Sequence, residues 1–362
     1  MNIKKCLTAN FKPGMVVAEG AYTSNNHLVI QSNSELTQEI IDKLKYYSVK
    51  SVKVFIPESD GTKTQAVPPI NTSTYYERIK DSQEFKQFET AFTSCVDSLK
   101  NTLNDIVTKN AVGLVDNLLD NVGHMIKKTR NPLHLLDLMQ CMHGYDDMTF
   151  THSMNVSLIC NVIGSWLQLP ENEMDLLMTC GLLHDIGKLK IPAEIIQKPG
   201  KLTDDEFRQV KMHPEFGYEI LKEKNLDPRV AMAALQHHER FNGSGYPHGT
   251  AGKDIDKFSS IVAIADVYDA MTSDRVYRKG LCPFPVIEQM EREKYMYNPN
   301  VLYTFIQRTA EAYVNTEVML SNGEKGRVVL INKNFLSRPI VISGSKSYDL
   351  AKMTDIEITE LM

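Results

Sequence analysis

The stretch Leu182-Leu183-His184-Asp185-Ile186-Gly187-Lys188 decides how this chain is read, because a polar pair interrupts an apolar helical run and is followed at once by a glycine and a lysine. Two polar groups buried in a helix without partners cost several kcal/mol. Coordination of a metal ion by the deprotonated pair satisfies both. Working outward, five of the ten histidines lie in the helical middle of the chain, His152, His184, His213, His237 and His238, joined by Asp185 and Asp266. A single helical histidine is more often a core or surface residue than a ligand, but the set points to a metal centre. Imidazole with carboxylate and no thiolate suits iron, manganese or zinc and does not fit a closed, cysteine-rich structural zinc site. A carboxylate has two oxygens, so Asp185 is the natural shared ligand of two ions roughly 3.5 to 4 Å apart. Such a site supplies hydroxide at neutral pH and neutralises a phosphate under in-line attack.

The rest of the chain reads as ordinary globular protein. At 362 residues, 42% hydrophobic and 23% charged, it is long enough for one large core with smaller appendages. A net charge of -5 argues against duplex nucleic acid as a partner, which is held by clustered Lys and Arg, yet allows a small anionic ligand in a locally basic pocket. The six cysteines show no CxxC pairing and read as reduced, mostly buried thiols. With no secretory signal and no apolar run near the roughly 20 residues of a membrane span, the expected location is cytoplasmic.

The periodicities divide the chain. Residues 1–70 read as a small α/β unit, with strand-like pieces at 15–19 and 28–31, a helix over 35–47 opened by Thr37, and a strand at 49–56. A linker rich in Gly, Thr, Pro and Ser follows over 59–74. Over 71–142, apolar residues recur at helical spacing, as in Phe85, Phe88, Phe92, Cys95, Val96 and Leu99, then Leu114, Leu118, Leu119, Val122 and Met125. These stripes either pack on the next domain or pair between two chains as a signalling stalk, and the homodimer is the favoured expectation. Residues 143–315 continue as helices, with a capping box at Thr203 and Glu206 and a helix start at Asp227-Pro228. From 316 to 362, alternation and turns such as Ser321-Asn322-Gly323 predict a small β-rich segment.

The order His152-Ser153, His184-Asp185, His213-Pro214-Glu215, His237-His238-Glu239, Gly243-Ser244-Gly245-Tyr246-Pro247 and the run from Ala265-Asp266 to Asp274-Arg275 resembles the HD-GYP branch of the HD phosphohydrolase superfamily over about 145 to 312, roughly half the chain. The implied fold class is mainly α, an HD-type all-helical catalytic domain between the small α/β N-terminal domain and the β-rich C-terminal segment. The resemblance implies a phosphodiesterase acting on a cyclic dinucleotide of bacterial signalling, cyclic di-GMP being the first expectation, cleaved to linear pGpG and on to GMP. It implies two divalent metal ions, one held by His152, His184, Asp185 and Asp266, the other by Asp185, His213, His237 and His238. Lys188 would face the attacked phosphate, Tyr246 would line the base pocket, Arg275 and Arg278 would contact phosphate or guanine, and Asp269 would orient neighbouring ligands or substrate.

Two positions depart from the pattern. Some relatives have Glu four residues before the first histidine, where it helps bind a third metal; here that residue is Met148, a poor ligand for a hard cation, and Asp146 and Asp147 are rotated away if the segment is helical. Two metals are therefore expected. Asn242 stands where many relatives have Asp, and since Asn also favours turns the fold is expected to hold. The competing readings are another substrate on the same machinery, such as cyclic GMP-AMP or a nucleoside phosphate, and a low-turnover sensor of nucleotide or partner protein.

Overall fold

The structure, a computed structural model, describes residues 2–8, 11–22, 28–32, 34–38, 40–41, 44, 51–56, 75–109, 113–142, 148–198, 200–273 and 280–362. It divides into two units, residues 1–72 and 73–362. The expected linker over 59–74 lies outside the described residues.

In the first unit, strand β1 (Asn2–Leu7), β2 (Ala21–Tyr22), β3 (Leu28–Ile30) and β4 (Ser51–Ile56) form two antiparallel pairs, β1 with β4 and β2 with β3. Val52 and Val54 of β4 join Val17, Val29, Ile30, Leu36, Ile41 and Leu44 in a small core. The expected strand at 15–19 is reduced to two isolated bridges, Val16 to Glu35 and Val17 to Val54. Thr37 Oγ1 accepts the Ile40 N–H at 3.2 Å, which opens the helix as expected, although much of 35–47 falls outside the described residues.

The second unit begins with α1 (Tyr75–Lys80), α2 (Gln83–Lys109), α3 (Leu114–Ile126) and α4 (Pro132–Gln140). The apolar stripe of α2, from Phe85 through Phe92 and Leu99 to Ile106, is buried in the same core as the helices that follow, and so are Val115, Leu118, Val122 and Met125 of α3. This corrects the favoured expectation for these stripes. They pack on their own chain's domain, the other of the two alternatives, because the α2 stripe is buried against α3 and α5 (Met148–Trp166), which removes that apolar surface from water.

Then come α6 (Glu171–Leu183), a 3-10 turn at Ile186–Lys190, α7 (Ala193–Ile196), α8 (Asp204–Val210), α9 (His213–Leu221), α10 (Pro228–Gln236), α11 (Lys257–Thr272), α12 (Pro283–Arg292) and α13 (Pro299–Ala312). Their starts follow local chemistry. Thr203 and Glu206 make the reciprocal capping box, Thr203 N–H donating to Glu206 Oε2 at 2.7 Å. Asp227 accepts the Arg229 N–H at 3.0 Å, with Pro228 in the first turn, where its missing N–H removes nothing. Helix α11 carries almost no polar face: from Phe258 to Ala265 every residue is buried, so it forms the central rod against which α5 and α10 pack. No helix among the described residues is long and apolar enough to cross a membrane.

The C-terminal segment is a five-stranded antiparallel sheet of β5 (Glu317–Leu320), β6 (Lys325–Asn332), β7 (Phe335–Ser343), β8 (Lys346–Asp349) and β9 (Ile358–Leu361), ordered β8-β7-β6-β5-β9. Its inner face packs on Phe284 and Tyr313. Glu291 of α12 fixes it further by accepting the Leu336 N–H at 2.9 Å and the Ser337 N–H at 3.2 Å.

Candidate metal centre

Three of the elements that meet at the centre bring histidines to it at a helix end. His184 and Asp185 follow the last turn of α6, His213 opens α9, and His237 and His238 follow α10. Helix ends leave backbone carbonyls without intrahelical partners, and the imidazoles use them. His184 Nδ1 meets Gly181 O at 2.8 Å, His213 Nδ1 meets Val210 O at 2.7 Å, and His237 Nδ1 meets Ala234 O at 2.9 Å. A carbonyl only accepts, so in all three rings the proton sits on Nδ1 and the Nε2 lone pair is left to face the centre.

The fourth approach is lateral. His152 of α5 places Nδ1 2.6 Å from Asp269 Oδ2 and Nε2 3.0 Å from Asp266 Oδ1, both carboxylates coming from α11. Asp269 is held from its other oxygen by Asn155 Nδ2 at 2.9 Å and Ser273 Oγ at 2.7 Å. Both of its oxygens are thus spent on hydrogen bonds within the protein. Asn155 and Ser273 were not anticipated; the one available signal was that Asn155 lies three residues after His152, on the same helix face.

Asp185 lies between the two groups. Its Oδ1 is 3.2 Å from His213 Nε2 and 3.7 Å from His237 Nε2, while Oδ2 is 3.4 Å from His184 Nε2 and 3.7 Å from His152 Nε2. Two triads close enough to grip a cation are His213, His237 and His238 on one side and His152, His184 and Asp266 on the other; His184, Asp185 and His237 make a third. All are buried except His238, which is partly so. The approach depends on Gly187: a Cβ there would stand 1.9 Å from His213 O and 2.5 Å from Gly217 N, so only glycine lets the turn after Asp185 close on α9.

The electrostatics follow from burial and neighbours. Burial works to raise the Asp185 carboxyl, but Lys188, whose Nζ is 2.5 Å from Oδ2, and His184 outweigh it and hold the group well below the usual carboxylate range. Asp266 is likewise held low against its burial by His152. Burial pushes His237 far down and His238 down to about 3, so both rings are neutral. For His152 burial also works against charge, yet Asp266 and Asp269 raise it to about 9.

These residues fit a divalent metal. His184 Nε2 and Asp185 Oδ1 are fully buried and have no hydrogen-bond partner. His213 Nε2 and His237 Nε2 are 3.1 Å apart with both Nδ1 atoms turned to carbonyls, an arrangement of two imidazole nitrogens that a shared cation satisfies.

Beside the ligands, the turn 243–247 is fitted onto the end of α10. A Cβ on Gly245 would stand 2.4 Å from Arg240 N, and the Tyr246 N–H reaches His238 O at 3.2 Å. Tyr246 stacks on His238, with ring centroids 4.6 Å apart. Buried Glu239 ties the turn down by accepting the His248 N–H at 2.8 Å. Asn242 Oδ1 accepts from Ser244 N at 3.1 Å and Ser244 Oγ at 2.7 Å, making the turn expected of it. Met148 opens the same helix that carries His152 one turn on. Arg275, Arg278, Asp146 and Asp147 lie outside the described residues.

Residues 114–301 match the family described as HD domain. A cyclic di-GMP phosphodiesterase of Pseudomonas aeruginosa is 36% identical over 225 residues, 62% of this chain and 53% of that protein. A 3'3'-cGAMP-specific phosphodiesterase of Vibrio cholerae is 40% identical over 145 residues, 40% of this chain and 34% of that one. The chain spans about half the length, or less, of the curated relatives it matches. Among solved structures, an HDG"Y"P protein from Bdellovibrio bacteriovorus shares the fold with a TM-score of 0.51 at 17% identity, over 84% of this chain and 98% of that one. With the domain match covering half of its length and the ordered His-Asp to Gly-Tyr-Pro motifs converging in space, this chain belongs to the HD domain family, in its HD-GYP branch.

Proposed function

We propose that the protein is a metal-dependent phosphodiesterase that hydrolyses a cyclic dinucleotide, cyclic di-GMP first, to linear pGpG and onward to GMP. The observation that carries this reading is the pair of opposed Nε2 lone pairs of His213 and His237 beside an unpartnered Asp185 oxygen, an arrangement that calls for bound cations. His152, His184 and Asp266 would hold one divalent ion, His213, His237 and His238 the other, and Asp185 would be shared. The donor set favours iron or manganese, with zinc also accommodated. When bound, the metals supply a hydroxide nucleophile at neutral pH and neutralise the attacked phosphate.

The chain's own residues do the rest. The carbonyls of Gly181, Val210 and Ala234 take the Nδ1 side of the three rings and so aim each Nε2 inward. Asp269, braced by Asn155 and Ser273, fixes the His152 ring. Lys188, a quarter exposed and anchored on Asp185, is free to turn one of its donors to a phosphate oxygen and offset the charge that develops on it. Tyr246 would line the base pocket beside the metal ligands, and Arg275 and Arg278 supply further cationic contacts to phosphate or guanine. Met148 in place of a carboxylate supports two ions rather than three.

A second substrate is favoured by a specific observation, the 40% identity to the cGAMP-specific relative. Incubation of metal-loaded protein with cyclic di-GMP and with 3'3'-cyclic GMP-AMP, followed by chromatography, should show the linear dinucleotide from at least one. Binding without any product from either would leave the sensor reading and remove this one.

A further inference from the structure

Next to the metal centre, a short series of rings ends in an ammonium group. Tyr246 stacks on His238 at 4.6 Å with the planes 27° apart, and Lys211 Nζ stands 5.0 Å from the Tyr246 centroid and 5.0 Å from the Phe207 centroid. The backbone fixes where Lys211 starts from. Its N–H closes the end of α8 on Phe207 O at 3.0 Å, and His213 Nδ1 reaches back to Val210 O at 2.7 Å, so the chain is pinned on both sides of it.

What holds the ammonium itself is weak. An exposed cation over an aromatic face gains only about 0.5 to 1 kcal/mol. No carboxylate pairs with Lys211 among the described residues. The neighbouring cations differ: Lys188 is paired with Asp185 at 2.5 Å, and Arg240 is spent on the carbonyls of His237 and Glu239 and on the Tyr297 ring. Phe207 is 49% exposed, an apolar ring left in water beside an unpaired charge. A compact ammonium with three donors beside the exposed Phe207 ring matches one chemical class, a nucleotide, whose phosphate takes the charge and whose base takes a ring.

We propose that Lys211 is a substrate-binding residue that holds the phosphate of the cyclic dinucleotide not under attack, with Phe207 and Tyr246 flanking the attached nucleoside. The contact rests on the phosphodiester reading above and adds a residue and a subsite to it. Its effect belongs to binding, since it lies away from the bond that breaks.

The test is steady-state hydrolysis of the preferred cyclic dinucleotide by the full metal-loaded chain and by Lys211→Gln and Lys211→Arg, with metal content measured on each. Loss of one charge-assisted contact should raise KM about tenfold or more, lower kcat far less, leave metal content in place, and be largely restored by arginine. The ratio of kcat/KM for the cyclic dinucleotide to that for bis(4-nitrophenyl) phosphate, which has a single phosphodiester and no base, should fall by the same factor. An unchanged KM in Lys211→Gln, or an equal loss on both substrates, overturns the subsite while the wild-type turnover keeps the phosphodiesterase reading. A wild-type protein that cleaves no cyclic dinucleotide removes that reading and this contact together.

Discussion

Two buried carboxylates in the helical unit, Asp185 and Asp137, are 2% and 3% exposed and behave in opposite ways. Asp137 of α4 accepts the Tyr75 hydroxyl at 2.6 Å on one oxygen and the Tyr313 hydroxyl at 3.4 Å on the other. Its neighbours are neutral hydroxyls, so burial dominates and lifts the carboxyl to about 7, only partly offset by the two tyrosines. Asp185 has four imidazoles and an ammonium within reach, is held ionised against the same burial, and still has an oxygen without a hydrogen bond. Burial alone therefore does not mark a site. What separates the two is that the donors around Asp137 are used up within the protein, whereas those around Asp185 converge on a place where the protein supplies no partner.

The contrast can be broken most severely at its functional end. Asp185→Ala removes the one group placed between both histidine sets, and both turnover and bound metal should be lost; near-normal hydrolysis with full metal content would show that Asp185 is another Asp137. Lys188→Ala should lower turnover by about ten- to a thousandfold, the range for loss of one charge-stabilising donor, with metal retained. If metal leaves instead, Lys188 serves to hold Asp185 and the role proposed for it falls.

The structural end is sharpened by pH. Asp137 has a folded pKa of about 7 against about 3.9 unfolded, so its favourable contribution is complete below pH 4 and is lost as pH rises through 7, a loss on the order of 4 kcal/mol. Asp137→Asn should therefore flatten the fall in Tm between pH 4 and 7, read by thermal melts across that range. Identical slopes in variant and wild type would mean that Asp137 does not titrate there. The smallest effect concerns how Asp185 is positioned. Gly187→Ala should destabilise the fold by about 1 to 3 kcal/mol, the usual cost of overpacking, and a chemical denaturation midpoint equal to wild type would show that the turn need not close on His213.

Much of the candidate site was legible because its residues break local rules. His184-Asp185 is conspicuous in an apolar run, although the pair turns out to follow the end of α6 rather than lie within it, and the caps at Thr203 and Asp227 announce helix starts through contacts two or three residues away. The parts that escaped depend on distant partners. Helical spacing in α2 gives the width of an apolar stripe and says nothing about what covers it, so burial in the chain's own core and pairing between chains read alike. Strand β1 was not anticipated: Ile3 and Leu7 are more than half exposed, so no alternation betrays it, and it is held by backbone pairing to β4, some 50 positions on. The bracing of Asp269 by Asn155 likewise joins residues of two helices far apart in the sequence.

The central claim is that the two histidine groups each take a metal ion and share Asp185, and metal analysis of this chain, purified anaerobically, tests it most directly. The account predicts two divalent ions per chain, iron or manganese, and their joint loss in Asp185→Ala. No bound metal, or a third well-occupied ion held by Asp146 or Asp147 beside Met148, would contradict it.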